Sequence, residues 1–370
     1  MGSKEKAIRI LSRAGVEVNG NKPWDIQVHD ERFYNRVFGG GSLALGESYM
    51  DAWWDAEDLA AFLTKLLCVK LEEHIRPVSL LFHIARARLL NLQDKSRAFE
   101  VAVQHYDAGN DLYRRMLDKR MTYTCGYWKG TNTLDDAQEA KLDLVCKKIG
   151  LKKGDRVLDI GGGWGSFAGF AAEKYGAEVV AITISKEQAR LGRELVKGLP
   201  VEIRVQDYRS VDDGPYDHIV SLGMFEHVGY KNYRTYMKKV RELLNPDGLF
   251  LLHTIGNNVS RFTGDPWINK YIFSNGMLPS IAQIGDAIER LFVVEDWHNF
   301  GPDYDRTLME WFANFDKSWP EIHDNYNERF YRMWKYYLLT SAATFRARKT
   351  QLWQIVFSPE GIPGGYKSIR

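Results

Sequence analysis

The fold is decided by residues 157–165, which read Val157-Leu158-Asp159-Ile160-Gly161-Gly162-Gly163-Trp164-Gly165. An apolar run leads here into glycines at alternate positions, a pattern typical of a buried strand that turns into a helix. Glycine lets the backbone turn tightly and lets a ligand approach the main chain without a Cβ in the way. The spacing departs from Gly-x-Gly-x-x-Gly, so the loop also fits a turn that only closes the packing of strand on helix.

Strand and helix patterns alternate from Leu151 onward, which indicates a parallel sheet with crossover helices. We expect strands at residues 156–160, 178–184, 201–206, 216–222 and 249–254, and helices at 165–174, 186–197 and 231–244. Residues 304–357 are predicted to be mostly helical. The catalytic part is therefore predicted to be a doubly wound α/β domain.

The first 100 residues have a different pattern, with short helices expected at residues 7–14, 32–38, 43–50 and 59–69. A basic amphipathic stretch at 77–92 carries Arg86 and Arg88, and Lys95 and Arg97 follow it. Such a stretch can lie on lipid headgroups, although the pattern alone favours a core-facing helix with a solvated basic face, and both alternatives stay open. We predict a mainly helical lipid-docking domain over 1–100 and a catalytic domain over 101–370, with an aromatic insertion at about 257–285 that covers the site.

Composition excludes several classes of protein. The net charge of +2 is too small to indicate nucleic-acid binding. Three cysteines without metal-ligand spacing argue against a disulfide framework and against a metal site, and they fit a reducing cytoplasm. The first residues lack the apolar core of a signal peptide, and no uncharged run approaches the roughly 20 residues that span a bilayer. Any membrane contact is therefore expected to be peripheral, at the inner face.

The end of the first predicted strand bears on the cofactor. Asp159 places a carboxylate where the pyrophosphate of a dinucleotide would be repelled, whereas the cationic amino acid part of S-adenosylmethionine would tolerate it, directly or through water. A dinucleotide site would also have an acidic residue near the end of the second strand, but Thr183 and Gln188 occupy that region. Asp207, after the third strand, fits either an adenine contact or a turn. The sequence therefore favours S-adenosylmethionine.

Six segments of the chain resemble the cyclopropane synthase family. They are QHYDAGND (104–111), MTYTCGYW (121–128), the glycine loop, GMFEHVG (223–229), LLHTIG (251–256) and FGPDYD (300–305). LGESYMDAWW (45–54) resembles the N-terminal domain of the branch that acts on phospholipids, which the mycolic-acid branch lacks. Gly162 stands where the family often has Cys, and Thr124 where it more often has Ser.

The resemblance implies a class I S-adenosylmethionine methyltransferase with a seven-stranded doubly wound sheet, commonly a homodimer, that forms cyclopropane rings on the unsaturated acyl chains of membrane phospholipids. It implies a bound bicarbonate, held by Cys125, Glu226, His253, Tyr304 and the backbone of Ile255. The first four of these are the candidate catalytic residues. With the reasoning above, the candidate cofactor residues are Tyr123, Thr124, Asp159, Gly161, Gly163, Gly165, Thr183, Ser185, Gln188, Gln206 and Asp207.

Ring closure needs a base close to the transferred methyl group, and bicarbonate held by neutral donors beside Glu226 and His253 would supply one. By pattern alone, His253 and Cys125 also fit buried structural residues, and Tyr304 also fits the core. Two other functions fit parts of the chain. One is a class I methyltransferase acting on a small amine or hydroxyl, as in sphingolipid- or coclaurine-type relatives; the other is a nonenzymatic lipid-binding scaffold.

Overall fold

The computed structural model describes residues 2–69 and 109–370, and the chain divides into two compact units. The first comprises residues 1–90, 262–274 and 304–350, and the second comprises 91–261, 275–303 and 351–370. The predicted domain boundary near residue 100 and the basic residues Arg86, Arg88, Lys95 and Arg97 lie outside the described residues. The boundary and the docking role therefore stay predictions.

The first unit is mainly helical. Its helices are Ser3–Arg13, Arg32–Met50, Leu59–Cys68, Pro266–Tyr271, Pro302–Ile322 and Glu328–Arg346, and a small antiparallel pair joins β1 (Gln27–Val28) to β2 (Trp54–Asp55). The helices expected at 32–38 and 43–50 form one element, but Gly41 inside it has a φ of 59° and marks the break between them.

Residues 262–274, part of the predicted insertion, pack within this unit. Gly46 has no side chain where the ring of Trp267 approaches it, and Glu47 accepts hydrogen bonds from Lys270 (2.6 Å) and Tyr271 (2.8 Å). The helix Glu328–Arg346 packs against the same region, because Arg332 donates to the carbonyl oxygen of Tyr49 at 2.6 Å. Part of the insertion is thus anchored on an N-terminal helix.

The second unit contains a seven-stranded sheet with the strand order β5-β4-β3-β6-β7-β9-β8. The strands are β3 (Arg156–Ile160), β4 (Glu178–Thr183), β5 (Val201–Val205), β6 (Tyr216–Leu222), β7 (Leu244–Asn257), β8 (Val293–Asn299) and β9 (Thr350–Ser358). Strands β3 to β7 pair in parallel, and β8 pairs antiparallel with β9. The predicted seven-stranded doubly wound fold is confirmed.

Residues 304–357 are mostly helical, as predicted, through Pro302–Ile322 and Glu328–Arg346. Two bounds of the prediction are wrong. Residues 350–358 form β9, a strand whose residues are all buried; such a run lacks period-two alternation and cannot be told from a buried helix segment by its pattern. In addition, β7 begins at Leu244 rather than at 249, because Leu244 pairs with Tyr216 before a register shift and Leu249 then pairs with His218.

Helices cover both faces of this sheet: Asn110–Met116, Leu134–Lys148, Ser166–Tyr175, Lys186–Leu195, Tyr233–Leu243 and Ile281–Ile288. Alternate strand residues point to opposite faces. Leu158 and Ile160 join one apolar cluster, whereas Val157 joins the other, which also contains Leu142 and Val145 of the helix Leu134–Lys148. Asp159 therefore points toward the face that this helix covers.

The strand order reverses beside β3, so that β4 and β6 flank it and lead away in opposite directions. In open α/β sheets, ligands bind at this switch point, outside the carboxyl ends of the strands. The glycine loop follows β3, and GMFEHVG follows β6. The fold therefore brings two of the sequence segments to one edge.

We predict that Gly256→Ala destabilises the second unit by about 1–3 kcal/mol, because a Cβ at position 256 would overlap the ring of Trp353. The matched control is Gly285→Ala, in the helix Ile281–Ile288, where a Cβ would meet no atom within 4 Å. Equilibrium urea unfolding measures both variants. Equal stabilities would contradict the packing of Gly256 against Trp353.

Candidate active site

The glycine loop is held in a conformation that favours glycine. Gly161, Gly163 and Gly165 have φ values of 86°, 57° and 83°, in the region that other residues adopt at a cost in free energy. The N–H groups of Gly161 and Gly162 both donate to the carbonyl oxygen of Ile182 at 2.9 Å. The loop is therefore tied to the end of β4.

Space around this loop also requires glycine. A Cβ at Gly161 would lie 2.6 Å from Cβ of Met224, and a Cβ at Gly223, whose φ is 72°, would lie 2.6 Å from Cγ2 of Thr124. Real Cβ atoms do not approach so closely. The structure thus brings together three predicted segments: the glycine loop, the segment with Thr124 and the segment after β6.

Asp159 lies beneath the loop and is 1% exposed. Its Oδ2 has no hydrogen-bond partner among the described residues. Burial raises its pKa to about 7, against the opposing effect of Lys141. A buried carboxyl oxygen without a partner costs free energy in the ligand-free protein, so Asp159 is a candidate contact for a cationic group.

Lys141 is a candidate site residue that the sequence did not reveal. It is completely buried, its Nζ donates to Oγ1 of Thr124 at 2.8 Å, and burial lowers its pKa to about 8. Gln138, on the same helix, donates to the carbonyl oxygen of Thr124 at 2.7 Å. The helix Leu134–Lys148 buries both polar residues along with Leu134, Leu142 and Val145. Gln138 and Lys141 lie at helical spacing from the apolar residues of this helix, and polar residues on an apolar helix face are a sequence signal that could have revealed them.

The candidate cofactor residues after β4 form a neutral hydrogen-bonded group. Thr183 donates through Oγ1 to Oε1 of Gln188 at 2.9 Å, and the N–H groups of Ser185 and Gln188 donate to hydroxyls of Thr183 and Ser185, each at 3.2 Å. Ser185 caps the helix Lys186–Leu195. All three side chains are buried. They are preorganised at the end of β4.

After β5 the side chains are engaged in a turn. Asp207 accepts from the N–H of Arg209 and forms an ion pair with its guanidinium, both at 2.9 Å, and Gln206 donates to the carbonyl oxygen of Ser210 at 2.9 Å. These are the bonds that the turn interpretation of Asp207 predicts. An adenine contact by Gln206 or Asp207 stays a prediction.

Tyr123 belongs to an aromatic group under the loop. Its ring meets Tyr113 edge-on at 5.2 Å, Tyr113 contacts Trp164 at 5.1 Å, and Nε1 of Trp164 donates to Asn110 at 3.1 Å. Tyr123 is therefore packed through Tyr113 against the tryptophan of the glycine loop.

Glu226 lies in a short 3₁₀ turn, Phe225–His227, directly after β6. Its Oε1 accepts from the N–H of Ile255 at 2.7 Å, whereas its Oε2 is buried and has no hydrogen-bond partner among the described residues. Burial raises the pKa of this carboxyl to about 7, against the opposing effects of the Ile255 N–H, the backbone N–H of Glu226 itself and the side chain of Thr254. Near neutral pH the group therefore exchanges between its protonated and ionised forms.

His253 lies next to the end of β6, because it pairs with Leu222, the last residue of that strand. β7 continues for four residues beyond it, to Asn257. The ring is 1% exposed; its Nδ1 is 3.3 Å from Nε2 of Gln354, and its Nε2 has no hydrogen-bond partner among the described residues. Burial, then the charges of Lys141 and Lys148, lower its pKa well below the usual range. The imidazole is therefore neutral.

The other predicted anion-site residues lie as follows. Cys125 is completely buried, and its Sγ donates to the carbonyl oxygen of Gly126 at 3.1 Å. Ile255 contacts Glu226 through its N–H. Tyr304 belongs to the first unit, where its ring stacks on Phe345 at 4.7 Å. Within the second unit, β7 thus carries both His253 and Ile255, and Ile255 contacts Glu226 in the turn after β6.

Three comparisons relate the chain to known proteins. The family model of mycolic acid cyclopropane synthetases matches residues 93–355. The cyclopropane-fatty-acyl-phospholipid synthase of Escherichia coli strain K12 is 53% identical over 98% of this chain and 95% of its own length. A mycolic acid cyclopropane synthase solved in complex with SAH and CTAB matches with a TM-score of 0.65 and 32% identity, over 70% of this chain and 97% of that one.

We predict that Glu226→Gln stabilises the protein at pH 8. Because the pKa is about 7 in the folded state and 4.5 ordinarily, the folded protein retains a proton between these values that the unfolded chain has released. Stability therefore falls as pH rises through this window, and the full cost of the buried charge, about 3 kcal/mol, is present above pH 7. Glutamine removes that cost.

Urea unfolding at pH 5 and pH 8 checks the sign, with a small difference between variant and wild type expected at pH 5. Glu242→Gln is the control, because its side chain is 65% exposed. A Glu226→Gln variant that is less stable than wild type at pH 8 would contradict a buried carboxyl with a raised pKa.

Proposed function

Since the chain belongs to the mycolic acid cyclopropane synthetase family, we propose that it transfers a methylene unit from S-adenosylmethionine across the cis double bond of an unsaturated phospholipid acyl chain. The family supports methyltransferase chemistry, and the bound SAH in a relative supports the cofactor. The similarity over 98% of the chain to a synthase whose name specifies phospholipid supports the substrate.

In the proposed reaction the methyl carbon of S-adenosylmethionine is transferred to the alkene. It then loses one hydrogen and becomes the methylene carbon of the ring. S-adenosylmethionine supplies an electrophilic methyl group, and bicarbonate, when bound, supplies the base that accepts a proton from it. The alkene donates its electron pair to the methyl carbon as the carbon–sulfur bond breaks, which leaves a carbocation on the acyl chain. Loss of a methyl proton then releases the pair that closes the ring.

The unpaired polar atoms of Glu226 and His253 carry this proposal. Two buried groups, Glu226 in the turn after β6 and His253 on β7 beside the last residue of β6, have Oε2 and Nε2 without partners among the described residues. Such groups are rare in folded proteins unless a ligand or water satisfies them. An ion with both a hydroxyl and acceptor oxygens fits this pair, because Glu226 can accept from the hydroxyl and a protonated Nε2 can donate to an oxygen.

The remaining residues of the proposed anion site have distinct parts. Ile255 orients Glu226 by donating its N–H to Oε1. We propose that Cys125 and Tyr304 complete the contacts of the ion, as the resemblance implies. Burial of the carboxyl and the imidazole also excludes bulk water, which would otherwise trap the carbocation as an alcohol.

The proposed cofactor site uses the loop after β3 and the segments around it. The positive φ values of its glycines leave the backbone open to close approach. Asp159 has a carboxyl oxygen for a cationic group, and the neutral set of Thr183, Ser185 and Gln188 can hold hydroxyls. Thr124, which accepts from Lys141, keeps its own hydroxyl proton for donation.

The two alternative functions lack such support. A nonenzymatic scaffold needs neither the glycine loop nor a buried carboxyl with a raised pKa. A methyltransferase acting on an amine or hydroxyl also needs a base for the heteroatom proton, so Glu226 and His253 alone do not separate it from a cyclopropane synthase. The family model over residues 93–355 and the 53% identity over 98% of the chain to a cyclopropane-fatty-acyl-phospholipid synthase favour chemistry on an acyl chain.

We further propose that the enzyme acts from the cytoplasm, as a homodimer docked peripherally on the inner face of the membrane. In the described ranges no helix combines the length and apolar character needed to cross a bilayer. The proposed docking residues, Arg86, Arg88, Lys95 and Arg97, lie outside those ranges.

The reaction is tested with liposomes of cis-unsaturated phospholipid and S-adenosylmethionine whose methyl group carries three deuterium atoms. Mass spectrometry of the acyl chains is expected to show a product that has lost the double bond and retained two of the three deuterium atoms, because one is removed at ring closure. A methyl branch retaining all three would contradict ring formation while preserving methyl transfer. No labelled lipid would contradict both.

We predict that Glu226→Gln and His253→Ala each lower turnover by at least about 100-fold, because each removes a contact to the proposed base. Calorimetry is expected to give cofactor affinities within about twofold of wild type, since neither residue belongs to the proposed nucleoside pocket. His323→Ala is the control, because that histidine is exposed and lies in the first unit. Collapse of cofactor affinity in either variant would contradict this division of the site.

A further inference from the structure

Gln354 is a fully buried amide in the middle of β9. A buried polar side chain costs free energy unless it makes compensating hydrogen bonds. Its Nε2 lies 3.3 Å from Nδ1 of His253, and its Oε1 has no partner among the described residues. The contact with His253 therefore indicates that this amide has a role beyond packing in the core.

The neutral ring of His253 carries one N–H proton, which can be on either Nδ1 or Nε2. The ring is neutral because it is buried and because Lys141 and Lys148 are nearby. In a neutral imidazole one nitrogen donates and the other accepts, and the hydrogen bond at one nitrogen decides the state of the other. The neighbour of Nδ1 thus determines what Nε2 can do.

An amide nitrogen can only donate, so Nδ1 of His253 accepts from Gln354. The proton of the ring then lies on Nε2. That nitrogen is buried and has no partner in the described part of the chain. The result is an N–H donor on β7 beside Leu222, the last residue of β6. It lies two residues before Ile255, whose N–H donates to Glu226 at 2.7 Å.

We propose that Gln354 is a positioning residue that fixes His253 in the Nε2–H tautomer and so makes it a hydrogen-bond donor to an oxyanion beside Glu226. With the proton on Nδ1, the Nε2 lone pair and the Glu226 carboxylate would both repel an anion. Only the identity of the oxyanion, bicarbonate, rests on the proposed function.

The tautomer is measured directly by ¹⁵N NMR of protein labelled in its nine histidines, with the His253 signals assigned by their loss in His253→Gln. In wild type we expect a protonated Nε2 and an unprotonated Nδ1. A protonated Nδ1 in wild type overturns the inference, whatever the activity.

Two substitutions test whether Gln354 sets this state. Gln354→Glu replaces the donor with a carboxylate that accepts, so Nδ1 is expected to become protonated. Gln354→Met removes the donor without adding charge and is expected to give both tautomers. Gln351→Glu is the matched control on the same strand. The side chain of Gln351 accepts a hydrogen bond from Asn299 and donates one to Asn258. Retention of the pure Nε2–H tautomer in both Gln354 variants overturns the inference.

Kinetics distinguish this inference from the proposed function. In Gln354→Glu the apparent KM for bicarbonate is expected to rise at least about tenfold, the loss of one charge-assisted hydrogen bond, while cofactor affinity stays unchanged. An unchanged KM, with Nδ1 protonated, overturns the donor role of His253. If wild type itself shows no dependence on bicarbonate, the proposed base is wrong, and the NMR result alone decides the tautomer.

Discussion

The burial of a carboxyl and an imidazole without full hydrogen bonding is the constraint on which this site depends. Glu226 has one oxygen satisfied by the N–H of Ile255 and one left open, and His253 has one nitrogen facing Gln354 and one left open. A protein accepts such a cost only where the rest of the fold holds the groups in place. Here the register of Leu222 against His253 supplies that support, because it fixes β7 beside the end of β6.

The proposed cofactor site, around Asp159 and Thr124, also buries charged groups, but it pairs a carboxyl with a lysine. Asp159 and Lys141 are both buried, and Lys141 is the cation that lowers the pKa of Asp159 against the effect of burial. Lys141 also donates to Thr124, so one buried charge influences a carboxyl and a hydroxyl on two segments. A cationic group of a bound ligand would interact favourably with the carboxyl of Asp159 and lower its pKa further. Because β3 and β6 are neighbours in the sheet, the glycine loop after β3 and the segment with Glu226 after β6 lie at the same edge.

The sequence predicted the parallel core well, because each strand from β3 to β7 lies between turn residues and a helix with a clear period. It failed for β9, whose residues are buried on both faces and so have no alternation. Glu226 and His253 were proposed from the resemblance, since a histidine in an apolar run has no pattern that separates a catalytic from a structural role. Lys141 and Gln354 were missed because their importance lies in contacts with Thr124 and His253, at 17 and 101 residues' distance along the chain.

Binding of ¹³C-labelled bicarbonate measures directly whether Glu226 and His253 hold an oxyanion. The ¹³C relaxation of the ion is measured with wild type, with Glu226→Gln and His253→Ala, and with the exposed control Glu242→Gln. We expect a bound population of bicarbonate in wild type and in the control, and its loss in both site variants. Binding that survives in the two site variants, or its absence from wild type, would contradict the account.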